Sequence, residues 1–225
     1  MQRRSGFTLI EIIVVTGIIS LAFMSVLYLV RRAIMIYYSN QNYLVASMVA
    51  QDGLELTRFV RDQNWLTNQP FYQNLAEANS DGFNTIMAID YQATADDPAT
   101  PLPVIEGRFK IKQLFNDQTG DKIAACNLDG SGNLSQYVKS DCAVIYTDAD
   151  NHNFYTTQII DNISDGARYH KTIFGRLIEV TYHTNGTGDP ADDYLYVRST
   201  VYWRDRGSER YLTLGSYLYD FNWKL

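Results

Sequence analysis

From Phe7 to Val30 the chain runs through 24 consecutive positions with a single charge, Glu11. Wound as a helix at about 1.5 Å per residue, such a run spans about 36 Å, enough to cross a hydrocarbon core of about 30 Å. Basic residues stand at both ends, Arg3 and Arg4 before it and Arg31 and Arg32 after it. The positive-inside rule therefore does not orient the segment by itself. A cleaved secretory signal also begins basic and then apolar, but its apolar stretch is shorter and ends at small residues. Here the small residue, Gly6, precedes the apolar run.

The helical pattern continues past the apolar run. Ile34, Tyr37, Tyr38, Leu44, Val45, Met48, Leu56 and Phe59 keep roughly a 3.6-residue spacing, interrupted at Gln41, and no proline occurs before Pro70. One helix is predicted from Phe7 to Asp62, with Gly17 and Gly53 as the places where it can bend. Its first half is suited to lipid. Its second half is expected to lay the stripe of large apolar residues on a soluble domain.

Residues 64–103 read as irregular, rich in Asn, Gln, Asp and Pro. Strand patterns follow. Arg108 to Phe115 alternates weakly, and Phe174, Ile178, Val180 and Tyr182 share one face of a second run. In a third, Leu195, Val197, Val201 and Trp203 face one way, and Tyr194, Tyr196, Arg198, Thr200 and Tyr202 the other. A fourth carries Leu212, Leu214 and Leu218. The segments between, Thr184 to Asp193 and Asp205 to Glu209, have the Gly, Asp and Asn content of hairpin loops, so the last three strands are predicted as an antiparallel meander. The fold class expected is α+β: a long N-terminal helix, membrane-spanning in its first half, packed on an antiparallel β-sheet head.

Composition then narrows the classes of function. With 225 residues, 17 Tyr and 10 Phe, the chain can build one membrane helix and one globular part with its own core, and it is too aromatic for a disordered chain. A net charge of −6 with mixed signs offers no broad basic surface to nucleic acid or anionic lipid. His152, His170 and His183 stand singly, without HExxH, GxSxG or phosphate-loop patterns, and acid pairs such as Asp192-Asp193 lie in loops, so nothing points to an enzyme. The outward tyrosines Tyr194, Tyr196 and Tyr202 suit either stacking on a partner or packing across strands.

Cys126 and Cys142 are the two cysteines, neither in a CxxC pair nor near a His at zinc spacing. In an oxidising compartment they are expected to pair, closing a loop worth roughly 3 kcal/mol. In a reducing one they would stay as separate thiols. Asn127, Asp129, Ser131, Gly132 and Asn133 begin like a calcium loop, but Val138 stands where a bidentate Glu is needed. A polar turn is the main expectation and calcium the alternative, with Asp148 and Asp150 adding ligands only if the fold brings them in. No other cofactor is implied.

The string Arg3-Arg4-Ser5-Gly6-Phe7-Thr8-Leu9-Ile10-Glu11 resembles the prepilin signal of type IV pilins and type II secretion pseudopilins, and the likeness is close over Gly6 to Val15. That resemblance implies a membrane aspartyl prepilin peptidase that cuts between Gly6 and Phe7 and N-methylates Phe7. It also implies a role for Glu11. A carboxylate at bilayer depth costs about 2.5–3.5 kcal/mol on insertion scales, so it is kept where it gains a partner. By the resemblance, that partner is the new α-amine of a neighbouring subunit during assembly.

A second likeness covers Gln51 to Trp65, which is similar to a helix-end motif of minor pilin-like proteins in small-genome bacterial lineages, and extends to the final strands, Val201-Tyr202-Trp203 and Leu212 to Asp220. One departure from major pilins is Tyr28, where many carry a proline. The implied organisation is a leader over 1–6, a transmembrane helix over 7–30, its soluble continuation over 31–62, and a pilin head over 63–225. The implied function is a structural subunit, minor rather than major, of a type IV pilus or secretion-type pseudopilus. Its partners would be other pilin or pseudopilin subunits, the prepilin peptidase, an inner-membrane assembly platform and the lipid bilayer. It would sit in the cytoplasmic membrane with an exported head, and in a surface or periplasmic filament after assembly. The alternative is a filament-borne binding module, an adhesin or a DNA-capture tip. Loss of the leader removes two arginines and takes −6 to −8, which disfavours bulk attraction to nucleic acid.

Overall fold

Among the described residues one helix, α1 (Leu9–Leu66), leads into seven strands: β1 (Asn84–Tyr91), β2 (Phe109–Asn116), β3 (Val144–Asp148), β4 (Tyr155–Thr157), β5 (Tyr169–His183), β6 (Tyr194–Asp205) and β7 (Ser208–Tyr219). The computed structural model describes residues 8–76, 82, 84–91, 109–116, 143–148, 155–157, 169–184 and 193–220. The chain divides into two units, Met1–Leu44 and Val45–Leu225. The first holds the apolar part of α1, long and apolar enough to cross a membrane and wholly exposed within the protein. The second holds the rest of α1 and the sheet. The α+β reading is borne out.

The helix passes Gly17 and Gly53 without a break and ends four residues beyond the expected Asp62. Its end is a Schellman motif. The Gln69 N–H donates to the Asn64 carbonyl at 2.8 Å and the Asn68 N–H to the Trp65 carbonyl at 3.1 Å, with Asn68 in the left-handed region at φ 56°. Pro70 then prevents resumption. Asn64 is buried and donates through Nδ2 to the carbonyls of Phe71 and Gln73, at 3.2 and 2.7 Å. This folds the following turn back and buries Phe71 and Leu75.

The sheet is antiparallel throughout and organised by β5, the longest strand. One edge of β5 takes β6, over Phe174 to His183, and β6 takes β7. The other edge is shared: β3 pairs with the first half of β5 and β1 with the second, while β4 and β2 extend those two strands outward. The β6–β7 turn is the two-residue Arg206-Gly207, with φ of 52° and 82°, and such positive angles at both positions match the twist of a hairpin. The predicted meander is therefore present as β5, β6 and β7. The reading of residues 64–103 as irregular is corrected, because β1 lies inside it, and β3 and β4 carried no expectation at all.

The alternation of β5, β6 and β7 sorts their residues as expected. Phe174, Ile178, Val180 and Tyr182 lie opposite Trp203, Ser199, Val197 and Leu195. Leu218 continues that face. Against it α1 places Ala46, Val49, Ala50, Gly53, Leu54, Thr57, Val60 and Asn64, all buried. The core has two parts. Ala46, Val49 and Ala50 meet Ile145, Phe174, Val201 and Trp203 in one, and Leu54 and Val60 meet Ile178, Val180, Leu195, Val197 and Leu218 in the other.

The predicted contact stripe holds at Val45 and Leu56, which pack partly buried against the core, and is overturned at its other positions. Ile34, Tyr37, Tyr38, Leu44, Met48 and Phe59 are exposed, and the face on the sheet is built from smaller residues. The physical reason is distance. A helix that approaches a sheet closely has room for Ala, Gly and Thr, whereas long side chains would hold it off.

Candidate functional site: the N-terminal segment of helix α1

Helix α1 begins where the processing signal was read. Thr8 precedes its first residue, and the Thr8 carbonyl accepts from the Glu11 N–H at 3.1 Å and the Ile12 N–H at 3.3 Å. Thr8 and Glu11 stand in the spacing of a capping box, and Glu11 lies in the first turn, where the positive end of the helix dipole favours an anion. Its side chain is exposed. Gly6 and Phe7 lie outside the described residues. Residue 7 is four positions before Glu11 in sequence.

Between Glu11 and Arg31 the polar side chains are the hydroxyls of Thr16, Ser20, Ser25 and Tyr28, and the first three are satisfied by the helix itself. Thr16 Oγ1 donates to the Ile12 carbonyl at 2.8 Å, Ser20 Oγ to that of Thr16 at 2.7 Å, and Ser25 Oγ to that of Leu21 at 3.1 Å. Such back-bonding removes the cost of a bare hydroxyl in hydrocarbon. Glu11 is thereby left as the one group in the window whose charge needs an outside partner.

A second set of polar residues joins α1 to the sheet, and none of its pairings was expected. Arg176 of β5 is 2% exposed and pairs with Asp52, and its Nη1 also donates to the Val49 carbonyl at 3.4 Å. Further along α1, Arg58 Nη2 donates to Ser216 Oγ at 3.1 Å, and Trp65 Nε1 donates to Asp220 Oδ1 at 2.9 Å. Between these, Gly53 lets the backbone close on β6, since a Cβ there would stand 2.5 Å from Ser199 Oγ. The available signal was the run of small residues at positions 46, 50, 53 and 57, a spacing as regular as that of the large ones.

Two carboxyls and a phenol meet beside the end of α1. Tyr182 donates to Asp193 Oδ2 at 2.6 Å, and burial together with that acceptor holds its hydroxyl protonated well above the usual phenol range. Burial also pushes the Asp220 carboxyl up, aided by the Asp193 charge and opposed by the Trp65 N–H and the Arg61 guanidinium. Arg61 itself lies over the Trp65 ring at 4.5 Å.

The outward tyrosines pack across strands. Tyr196 meets Tyr217 at 4.8 Å, Tyr194 meets Tyr219 at 5.6 Å, and Tyr202 meets Tyr211 at 5.2 Å. His183 stacks on Tyr194 at 4.9 Å, and His170 is exposed near the start of β5. Cys126 and Cys142 lie outside the described residues, as do Asn127, Asp129, Ser131, Gly132 and Asn133 of the calcium candidate, Val138, His152 and Asp150. Asp148 ends β3 opposite Tyr169.

Residues 1–27 match the family described as the prokaryotic N-terminal methylation motif. No curated protein and no solved structure matches the chain significantly. A methylation motif that runs directly into a span-length apolar helix, followed by an antiparallel sheet, is the signature of type IV pilins and pseudopilins. Over those residues the chain is similar to that class, and its apolar helix is suited to anchor it in a membrane.

Proposed function

We propose that the chain is made as a precursor, cut between Gly6 and Phe7 by a membrane prepilin peptidase that also N-methylates Phe7, and built as a minor subunit into a type IV pilus or secretion-type pseudopilus. The observation that carries this reading is the match over residues 1–27, which ends inside a helix long and apolar enough to span a bilayer. Residues 7–30 serve as the anchor, 31–62 as its soluble continuation and 63–225 as the exported head. Other pilin subunits and an inner-membrane assembly platform are the partners. Glu11 neutralises the amine of a neighbouring subunit, a role supported by its place as the single unmatched charge between Phe7 and Val30. Once the head is exported, Cys126 and Cys142 join.

Mass spectrometry of the protein isolated from its own membranes or filaments tests this. The mature chain should begin at Phe7 and carry one added methyl group on its amine. Mature material that keeps Met1, or begins elsewhere, would overturn the reading.

A further inference from the structure

The outer face of the β6–β7 hairpin carries a row of exposed rings to which the processing and anchoring segment assigns no role. Tyr211, Tyr217 and Tyr219 of β7 are 42%, 57% and 43% exposed, although large rings on a sheet are ordinarily drawn into contact. Each is backed by a ring of β6, and Tyr217 lies tilted by 31° against Tyr196. A ring fixed from behind loses little further freedom when a ligand stacks on its front, which favours binding. Tyr196 in turn leans over Gly215, where a Cβ would stand 3.0 Å from its hydroxyl, so the absence of a side chain at Gly215 keeps that ring in place. From Tyr211 to Tyr219 the row extends about 27 Å at about 3.4 Å per residue.

The polar groups on this face select the kind of ligand. Thr200 and Thr213 hydroxyls meet at 2.9 Å midway along it. Its charges cancel in place: Arg198 Nη2 is 2.5 Å from Glu179 Oε2, and Arg204 Nη2 is 3.9 Å from Glu209 Oε1. Nucleic acid bases would stack on such rings, but the phosphates need cations that are not already committed to carboxylates. An anionic lipid surface needs the same cations, and insertion into lipid needs aliphatic residues that this face lacks. What remains complementary is an uncharged molecule with flat C–H faces and many hydroxyls.

We propose that this face binds a neutral glycan, with Tyr217 as the central stacking ring, Tyr219 beside it and Tyr211 at the far end. The inference does not rest on the filament reading, because the same face would bind on an anchored, unassembled chain.

The test is a microarray of immobilised neutral glycans, acidic glycans and single-stranded DNA, probed with the purified full-length chain in detergent micelles. Retention is expected on at least one neutral glycan, weakened about tenfold by Tyr217→Ala and kept by Tyr217→Phe, since the ring and not the hydroxyl supplies the stacking. Tyr219→Ala should weaken it too, and serves if the Tyr217 change disturbs the hairpin. Tyr37→Ala, at a still more exposed ring on α1, should leave retention unchanged. The proposal fails if no neutral glycan is retained, if only DNA or acidic glycans are, or if both alanine variants bind like the wild type.

Discussion

Gly53 on α1 faces Ser199 on β6 at a distance that leaves no room for a side chain: a Cβ at Gly53 would lie 2.5 Å from Ser199 Oγ and 3.2 Å from Arg176 Cδ. Ser199 Oγ is buried there without a hydrogen-bond partner. Two opposing effects meet at this position. Alanine is the better helix former by about 1 kcal/mol, but the overlap must be relieved.

Gly53→Ala is therefore expected to lower stability in spite of its propensity gain, and Gly53→Val to lower it by about 1–3 kcal/mol. In a Ser199→Ala background the Gly53→Ala cost should shrink by half or more, because the atom it strikes is gone. Ser199→Ala alone should be close to neutral, since it removes an unpaired hydroxyl. Denaturant melts of the four chains in micelles check this. A Gly53→Ala cost that Ser199→Ala leaves unchanged would mean that the close approach is not its cause.

Asp52 and Arg176 give a different test, because one partner is buried and the other is half exposed. Asp52→Ala should cost about 1–3 kcal/mol, less than for a fully buried pair because water already screens the carboxylate. Arg176→Met should cost less than Asp52→Ala, since it removes the buried charge instead of stranding it. Thermal melts rank the two, and the reverse order would show that Arg176 contributes mainly through its stem and the Val49 carbonyl.

Acid titration should single out Asp220. Its carboxyl is raised by burial, so the folded state holds the proton more tightly than the unfolded chain does. Stability contributed by that proton is complete below the ordinary aspartate range and is lost as pH rises through the raised folded value. Asp220→Asn keeps an acceptor for Trp65 Nε1 and removes the titration. The variant should be at least as stable as the wild type at neutral pH, with the difference narrowing as the solution is acidified through and below the raised value. Paired melts across that range measure it, and a variant that is less stable at neutral pH contradicts the assignment.

Glu11 is tested by assembly. Glu11→Gln should insert in the membrane and be cleaved normally, yet enter filaments poorly, because an amine left in an apolar surround without a counter-charge costs several kcal/mol, on the order of a buried unpaired ion. The measurement is the ratio of filament to membrane protein in wild type and variant. Equal ratios would make the carboxylate dispensable and end the neutralisation mechanism.

Much of the architecture could be read from residue order. The apolar run of α1 admits one interpretation, and the alternation of β6 and β7 is regular enough to assign each residue to a face, as Val197 and Tyr196 show. The same holds for the processing segment, whose information is local. Harder was the choice between two helix faces. Tyr37, Met48 and Phe59 form a stripe as periodic as Ala46, Ala50 and Gly53, and hydrophobicity favours the wrong one, because the deciding quantity is how near the sheet comes. β1, β3 and β4 were missed for a related reason. They are mixed in polarity and defined by distant pairing: β1 and β3 join β5, a partner up to 97 residues away from Asn84 to Thr181, and the three-residue β4 joins β3.

The polar ties between α1 and the sheet have a mechanical consequence. Asp52, Arg58 and Trp65 are spread over about 20 Å of helix, and their partners Arg176, Ser216 and Asp220 lie on β5, on β7 and just beyond β7. In the same direction along α1, the core contacts pass from Phe174 toward Tyr182, so the helix runs alongside β5 and β7 in their own sense. A force directed along this stretch of α1 would act parallel to the seam and load the ties together in shear, where peeling would open them one by one. Resistance to such a force is then governed by the rate at which the whole seam gives way. Loaded in that direction, the head would keep its fold until all three ties and the small-residue packing yield at once.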